Sequence, residues 1–373
     1  MIIYLVLILV LCLINIKVAG IGRHKSTDFF ADCLDKSSDQ TTCIKGVFAL
    51  IIVVQHARQY FDASNSFGYG AFSFILNSIG QLMVVMFLFY SGFGIVQSYK
   101  ADKWGGGYFK TFPRTRILKT LVHFDLAVLV FYLISLILHS NYGARQVLLS
   151  FVGWDAIGNS NWFIFSILVV YILIYIAHFC TKSPKVLSFI TLALTIGFVI
   201  LLSYYKESWW YSTILTMPMG MLYACYKDKI EGVILAKQAY YYIYLGCLLV
   251  LFVCFGLLYR VFNPYQLVYN IYACIFAILV TAVTYKVKIS NKVLKFLGVH
   301  SFSIYILQRI PMMLLSLTKL SHYPITFTLC SFALTLIIAY AFSFVYKFVD
   351  KLFFSKTSKK QNQPAQVKPS PAN

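Results

Sequence analysis

Long unbroken runs of apolar residues, each closed by a short polar or basic connection, set the plan of this chain. A helical run of about 17–25 apolar residues matches the hydrocarbon thickness of a bilayer. The backbone must satisfy its own hydrogen bonds there, so each run reads as a helix. Segments are predicted at roughly 2–19, 44–62, 75–98, 118–138, 162–180, 186–205, 209–226, 240–259, 266–285, 300–319 and 326–347. The 209–226 segment is short and interrupted by Pro218 and Gly220. The expected fold class is all-α, a polytopic transmembrane bundle of about eleven helices.

Composition agrees with that class. The chain is 60% hydrophobic and 12% charged, with a mean hydropathy of +0.76, whereas about 25% of an ordinary soluble domain is charged. Charge then orients the helices. Under alternating topology, 26 of the 32 Lys and Arg residues gather on one side; the other six are Arg58, Arg145, Lys206, Arg260, Arg309 and Lys319. Basic residues collect on the cytoplasmic side, which predicts a cell-membrane protein with its N-terminus outside and its C-terminus in the cytoplasm. The net charge of +20 is accounted for by this bias and by anionic headgroups, and gives no support to nucleic-acid binding. The first apolar run lacks a basic n-region, and its first cation, Lys17, follows it. An uncleaved helix is therefore expected.

Residues 1–42 read as a first helix and its loop, 43–350 as one membrane domain, and 351–373 as a disordered basic tail rich in Pro, Gln and Asn. No internal repeat is visible, and no connection is long enough for a soluble module. The nine cysteines have neither disulfide-framework nor zinc-site spacing and read as free thiols. No HExxH, P-loop or GxSxG motif is present, and no metal site is expected.

The candidate chemistry lies in a few polar interruptions. Lys45 and His56 bracket the apolar stretch KGVFALIIVVQH. Eleven helical residues rise about 16 Å, so a Lys45 at the surface carries His56 to mid-bilayer, where an imidazole is costly and is usually kept for a task. It reads either as a histidine hydrogen-bonded between helices or as a general base that accepts a hydroxyl proton. The connection at 100–120 holds six cations against Asp102, with Gly105–Gly107 in its middle. Arg114 and Arg116 there suit a phosphate or diphosphate, or lipid headgroups. Ser91, Gly92 and Gly94 permit close approach of a ligand or a neighbouring helix. Around GWDAIGNSNWFIF, residues 153–165, Trp154 and Trp162 fit an interfacial belt, while Asp155, Asn159, Ser160 and Asn161 offer hydrogen bonds to a sugar; Asn161 alternatively caps the helix. Gln308 and Arg309 sit mid-membrane beside Pro311, and an arginine at that depth needs a carboxylate, a ligand or water.

In their order and topology these residues resemble the acyltransferase-3 family of integral membrane acyltransferases, which includes surface-polysaccharide O-acetyltransferases. The family's Arg-x10-His pattern is matched by Lys45 and His56, its small-residue stretch by Ser91–Gly94, and its arginine-bearing segment by Arg114 and Arg116. Its WF-type helix start is matched by Asn161–Trp162–Phe163, and its late Ser-x-x-(Ile/Leu)-Tyr pattern by Ser301–Tyr305. Lys45 stands where the family has arginine and keeps only the charge. Gln308 replaces a histidine common in the family, so a second catalytic imidazole is not expected.

The resemblance covers residues 43–347 as a ten-helix core, with the first helix as an addition. It implies an O-acyltransferase that moves an acyl group, acetyl above all, from cytoplasmic acyl-CoA to a hydroxyl of a cell-envelope polysaccharide or glycolipid. His56 is implied to be catalytic, as base or acyl relay. Arg114, Arg116 and Lys119 are implied donor ligands, and Lys45, Ser91, Gly92, Asn161, Trp162, Tyr305, Gln308 and Arg309 complete the substrate-binding set. Expected partners are acetyl-CoA, used as a substrate rather than a resident cofactor, a glycan acceptor and the lipid bilayer. A transporter or flippase for a lipid-linked glycan is the alternative, with a glycan polymerase as a third reading.

Overall fold

The structure is a computed structural model, and it describes residues 3–20, 28–35, 39–61, 69–102, 107–261 and 266–354. The chain opens with α1 (Ile3–Leu13), β1 (Ile16–Val18) and α2 (Gln40–Ala57). It continues through α3 (Tyr69–Ile79), α4 (Leu82–Ala101), α5 (Gly107–Phe112), α6 (Lys119–Ile137) and α7 (Ala144–Phe151). Next come α8 (Trp162–Cys180), α9 (Pro184–Leu202), α10 (Thr216–Ile234), α11 (Gln238–Val261) and α12 (Gln266–Thr284). The last elements are β2 (Val287–Ile289), α13 (Lys292–Val299), α14 (Ser301–Leu307), α15 (Arg309–Ser316) and α16 (Pro324–Phe353). Among the described residues, eight helical stretches are long and apolar enough to cross a membrane. The fold is all-α and polytopic. Apolar side chains such as Ile137, Phe179 and Ile337 face outward, as a lipid-facing surface requires.

Four elements differ from the sequence pattern for identifiable reasons. The apolar run at 2–19 gives a helix of only 11 residues, too short to cross about 30 Å of hydrocarbon by itself. It stops where Asn15 takes a positive φ of 59°, and the chain then forms a ribbon, β1 pairing antiparallel with β2. The helix expected at 209–226 begins at Thr216 and runs on to Ile234, because Pro218 is tolerated only in a first turn. Gly107–Phe112 is helical and continues through a π-helical turn, Pro113–Leu118, into α6. The basic connection is therefore mostly helix; Tyr108, Phe109 and Phe112 pack on one another and on His178 and Tyr171. The segment at 300–319 is broken at Gln308, since Pro311 cannot donate to the Leu307 carbonyl and its ring would clash with it.

Two helix pairs approach backbone to backbone. An added Cβ at Gly46 of α2 would strike the Leu294 carbonyl of α13, and one at Gly298 would meet the Thr42 carbonyl. Gly92 of α4 lies equally close to the Met217 carbonyl of α10, and Gly220 to that of Phe89. Gly46→Ala is expected to destabilise by about 1–3 kcal/mol, outweighing the ~1 kcal/mol of helix propensity that alanine gains. The thermal midpoint of the detergent-solubilised protein reports this. Gly197→Ala, which meets nothing within 4 Å, is the neutral-to-stabilising control.

The cysteines among the described residues are unpaired thiols. Burial pushes the Cys33 thiol up to about 11, so it stays protonated.

Candidate active site

Lys45, Ile52 and His56 fall on one face of α2. Eleven residues at 3.6 per turn bring His56 back to within about 20° of Lys45. Lys45 and Ile52 line a cavity of about 370 Å³ between α2, α4, α8 and α14. Its other walls include Phe87 and Ser91 on α4, Phe163, Ile167 and Tyr171 on α8, and Tyr305 on α14. Tyr305 links the cavity to the histidine, with its ring centroid 6.3 Å from that of the imidazole.

His56 is half-buried. Its Nδ1 is shielded and has no hydrogen-bond partner among the described residues. The Gln308 side chain lies against it and the Arg309 charge acts on it. Gln308 is fully buried and donates from Nε2 to the Tyr305 carbonyl at 3.1 Å. Its Oε1, like that of Gln55, is also unmatched. A cluster of buried, unsatisfied polar atoms is expensive and marks this helix break as a place for a ligand or water.

Arg116 comes from the π-helical turn, a distortion frequent at functional sites. Its guanidinium faces the Tyr108 and Tyr171 hydroxyls. Tyr171 shares a 2.7 Å hydrogen bond with Ser91. Arg116 and Lys45 thus both line the cavity, and neither forms an ion pair among the described residues. Two cations without a carboxylate beside them suit an anionic ligand.

A second cavity of about 560 Å³ shares Lys45 and Tyr90 with the first and adds Gly94, Lys100 and Lys227. The two lie on either side of those shared residues, and the second lies toward the end of the bundle where Lys288 pairs with Asp32 and Lys295 with Asp39.

Other candidates are engaged elsewhere. Lys119 pairs with Asp350 at 2.6 Å, and His123 meets the same carboxylate at 3.0 Å. Arg114 donates to the Phe353 carbonyl and stacks over Phe354. Both basic residues therefore hold the end of α16. Gly92 serves the contact with α10. Asn161 precedes α8 without capping it; its Nδ2 donates to the Gly153 carbonyl at 3.0 Å. Trp162 packs beside Phe163. Arg309 reaches Ser160 Oγ at 2.9 Å, Gln59 Oε1 at 2.8 Å and the Tyr60 hydroxyl at 3.3 Å. Those groups are neutral, and of the expected carboxylate, ligand or water no carboxylate pairs with Arg309 among the described residues. Asp155 lies by Lys206 at 3.9 Å, and Asp62 is outside the described residues.

Sequence reasoning missed Tyr90, Tyr108 and Tyr171. Phe163, Ile167 and Tyr171 recur every four residues, the spacing of one helical face, but a tyrosine in an apolar run reads as core. Among the described residues no His, Cys, Asp and Glu group is arranged to hold a metal ion.

The acyltransferase domain of the acyltransferase-3 family matches residues 40–344, most of the chain. The chain belongs to that family. It is a multi-pass membrane acyltransferase, a transferase of groups other than aminoacyl. Searches of curated proteins and of solved structures returned no match. His56 and the first cavity lie inside the matched span, whereas Leu34 and Asp35 of the second cavity, like α1 and β1, precede it.

Proposed function

We propose that the enzyme transfers an acetyl group from cytoplasmic acetyl-CoA to a hydroxyl of a cell-envelope polysaccharide or glycolipid. The observation that carries this reading is the cavity holding Lys45 and Arg116 without acidic partners and ending at Tyr305, beside the unmatched imidazole. The end bearing most basic residues is cytoplasmic, which sets the N-terminus outside. Residues 43–350 form the catalytic domain, preceded by an added segment and followed by a basic tail.

The donor enters through the wider cavity, and its phosphates meet Lys45 and Arg116. The thioester arm extends along Ser91 and Tyr171 toward Tyr305. His56, neutral at pH 7 as an ordinary imidazole is, takes the proton of the acceptor hydroxyl as that oxygen attacks the thioester carbonyl carbon. The C–S bond breaks and the thiolate recovers the proton from the imidazolium. The products are an ester and the coenzyme A thiol. Asn161, Trp162 and Arg309 are placed in the acceptor half, with Gln308 orienting the imidazole.

Purified protein given radiolabelled acetyl-CoA and envelope glycan is expected to release coenzyme A thiol and label the glycan. Mass spectrometry of surface glycans from cells with and without the protein identifies the acceptor. Glycan movement across vesicles without thiol release would instead indicate a flippase.

A further inference from the structure

Asp35 stands at the mouth of the donor path, and it belongs to the segment ahead of the family match. That segment is stitched to the core. The Phe30 N–H donates to the Tyr285 carbonyl at 2.8 Å, and Lys286 Nζ donates to the Asp28 carbonyl at 2.7 Å. Lys288 pairs with Asp32 at 2.5 Å, and the β1–β2 ribbon fixes the chain just before it. These ties hold Leu34 and Asp35 in the wall of the 560 Å³ cavity, which also carries Lys45, Lys100 and Lys227 and one further carboxylate, Asp228. The Asp35 carboxylate is 3.8 Å from Lys227 Nζ and its side chain is 54% exposed. Lys227 also meets Glu231 at 3.4 Å, so it keeps an acidic partner when Asp35 is neutralised.

We infer that Asp35 sets donor affinity, because its carboxylate occupies Lys227 across the vestibule and opposes entry of phosphates. The inference rests on reading this path as the acyl-CoA entrance. An anionic donor must compete with Asp35 for Lys227 and is repelled by the same charge. A donor without phosphates meets neither obstacle. The added N-terminal segment thereby becomes part of donor selection and is more than a topological appendage. An exposed charge acts through water-screened electrostatics, so its effect is modest and falls on binding, not on the chemical step.

The test compares full-length enzyme with Asp35→Asn, using acetyl-CoA and S-acetylpantetheine, which has the same thioester but no phosphate. Asp35→Asn should lower KM for acetyl-CoA by about two- to fivefold, leave kcat unchanged, and leave KM for S-acetylpantetheine unchanged. Asp35→Lys should lower KM for acetyl-CoA further. An unchanged or raised KM for acetyl-CoA in an active enzyme overturns the role of Asp35 while the donor reading stands. Equal shifts for both donors overturn it too, because charge would then not be the cause. If the parent enzyme transfers from neither donor, the donor reading itself fails and carries this inference with it.

Discussion

His56→Ala is expected to lower kcat for acetyl transfer by about 10²–10⁴-fold, the range for loss of a positioned general base. Protein abundance and thermal midpoint should stay near those of the parent. The imidazole is not tied into the fold through Nδ1, which has no hydrogen-bond partner among the described residues; its neighbours are the Gln308 side chain and the Tyr305 ring at 6.3 Å. Removing it relieves a buried polar group at the α14–α15 break. A small cavity is created, but Ala57, Val53 and Ile52 beside it are already well packed. The measurement is initial-rate transfer of labelled acetyl in detergent or vesicles, at matched protein. His56→Gln, which keeps hydrogen bonding without basicity, should be nearly as inactive. Activity within tenfold of the parent in either variant would remove the histidine from the mechanism.

Arg116→Gln is expected to raise KM for acetyl-CoA by about 10–100-fold, as loss of charge-assisted hydrogen bonds to phosphate would. The effect on kcat should be smaller, since Arg116 lies on the donor path and not at the imidazole. Arg114→Gln and Lys119→Gln provide the contrast. Both side chains are already committed to the end of α16, through Phe353 and Asp350. Their replacement should lower stability slightly and leave donor KM within about twofold, as exposed pairs contribute little. A KM that rises equally for all three would mean a diffuse electrostatic field in place of a specific cation.

How much of this was legible beforehand differs by level. The all-α type followed from run length, because nothing but a helix satisfies its backbone in hydrocarbon. The number of spans did not: about eleven runs give eight helical stretches long enough to cross among the described residues. The pairing of Lys45 with His56 was also readable, since eleven residues is close to three full turns. The short strands β1 and β2 were hidden because Ile16–Val18 and Val287–Ile289 border longer apolar runs, and alternation over three residues is too brief to register. The division of labour among Arg114, Arg116 and Lys119 was not readable either. It depends on a π-helical turn, whose extra residue rotates Arg116 inward while its neighbours meet α16. Gly92 could have admitted a ligand or a neighbouring helix, and the second holds: it lies against the Met217 carbonyl, a contact between helices far apart in sequence.

The glycine contacts of α2 with α13, and of α4 with α10, have a mechanical meaning. Helices touching carbonyl to Cα cannot slide or spread without large displacements. α2 and α4, which both contribute to the cavity, are each braced in this way from behind. Adjustment to a longer or branched acyl tail then falls to rotations of Phe87, Phe163 and Tyr305. Chain-length preference should therefore respond to the bulk of those three rings, in the manner of a ruler with interchangeable stops.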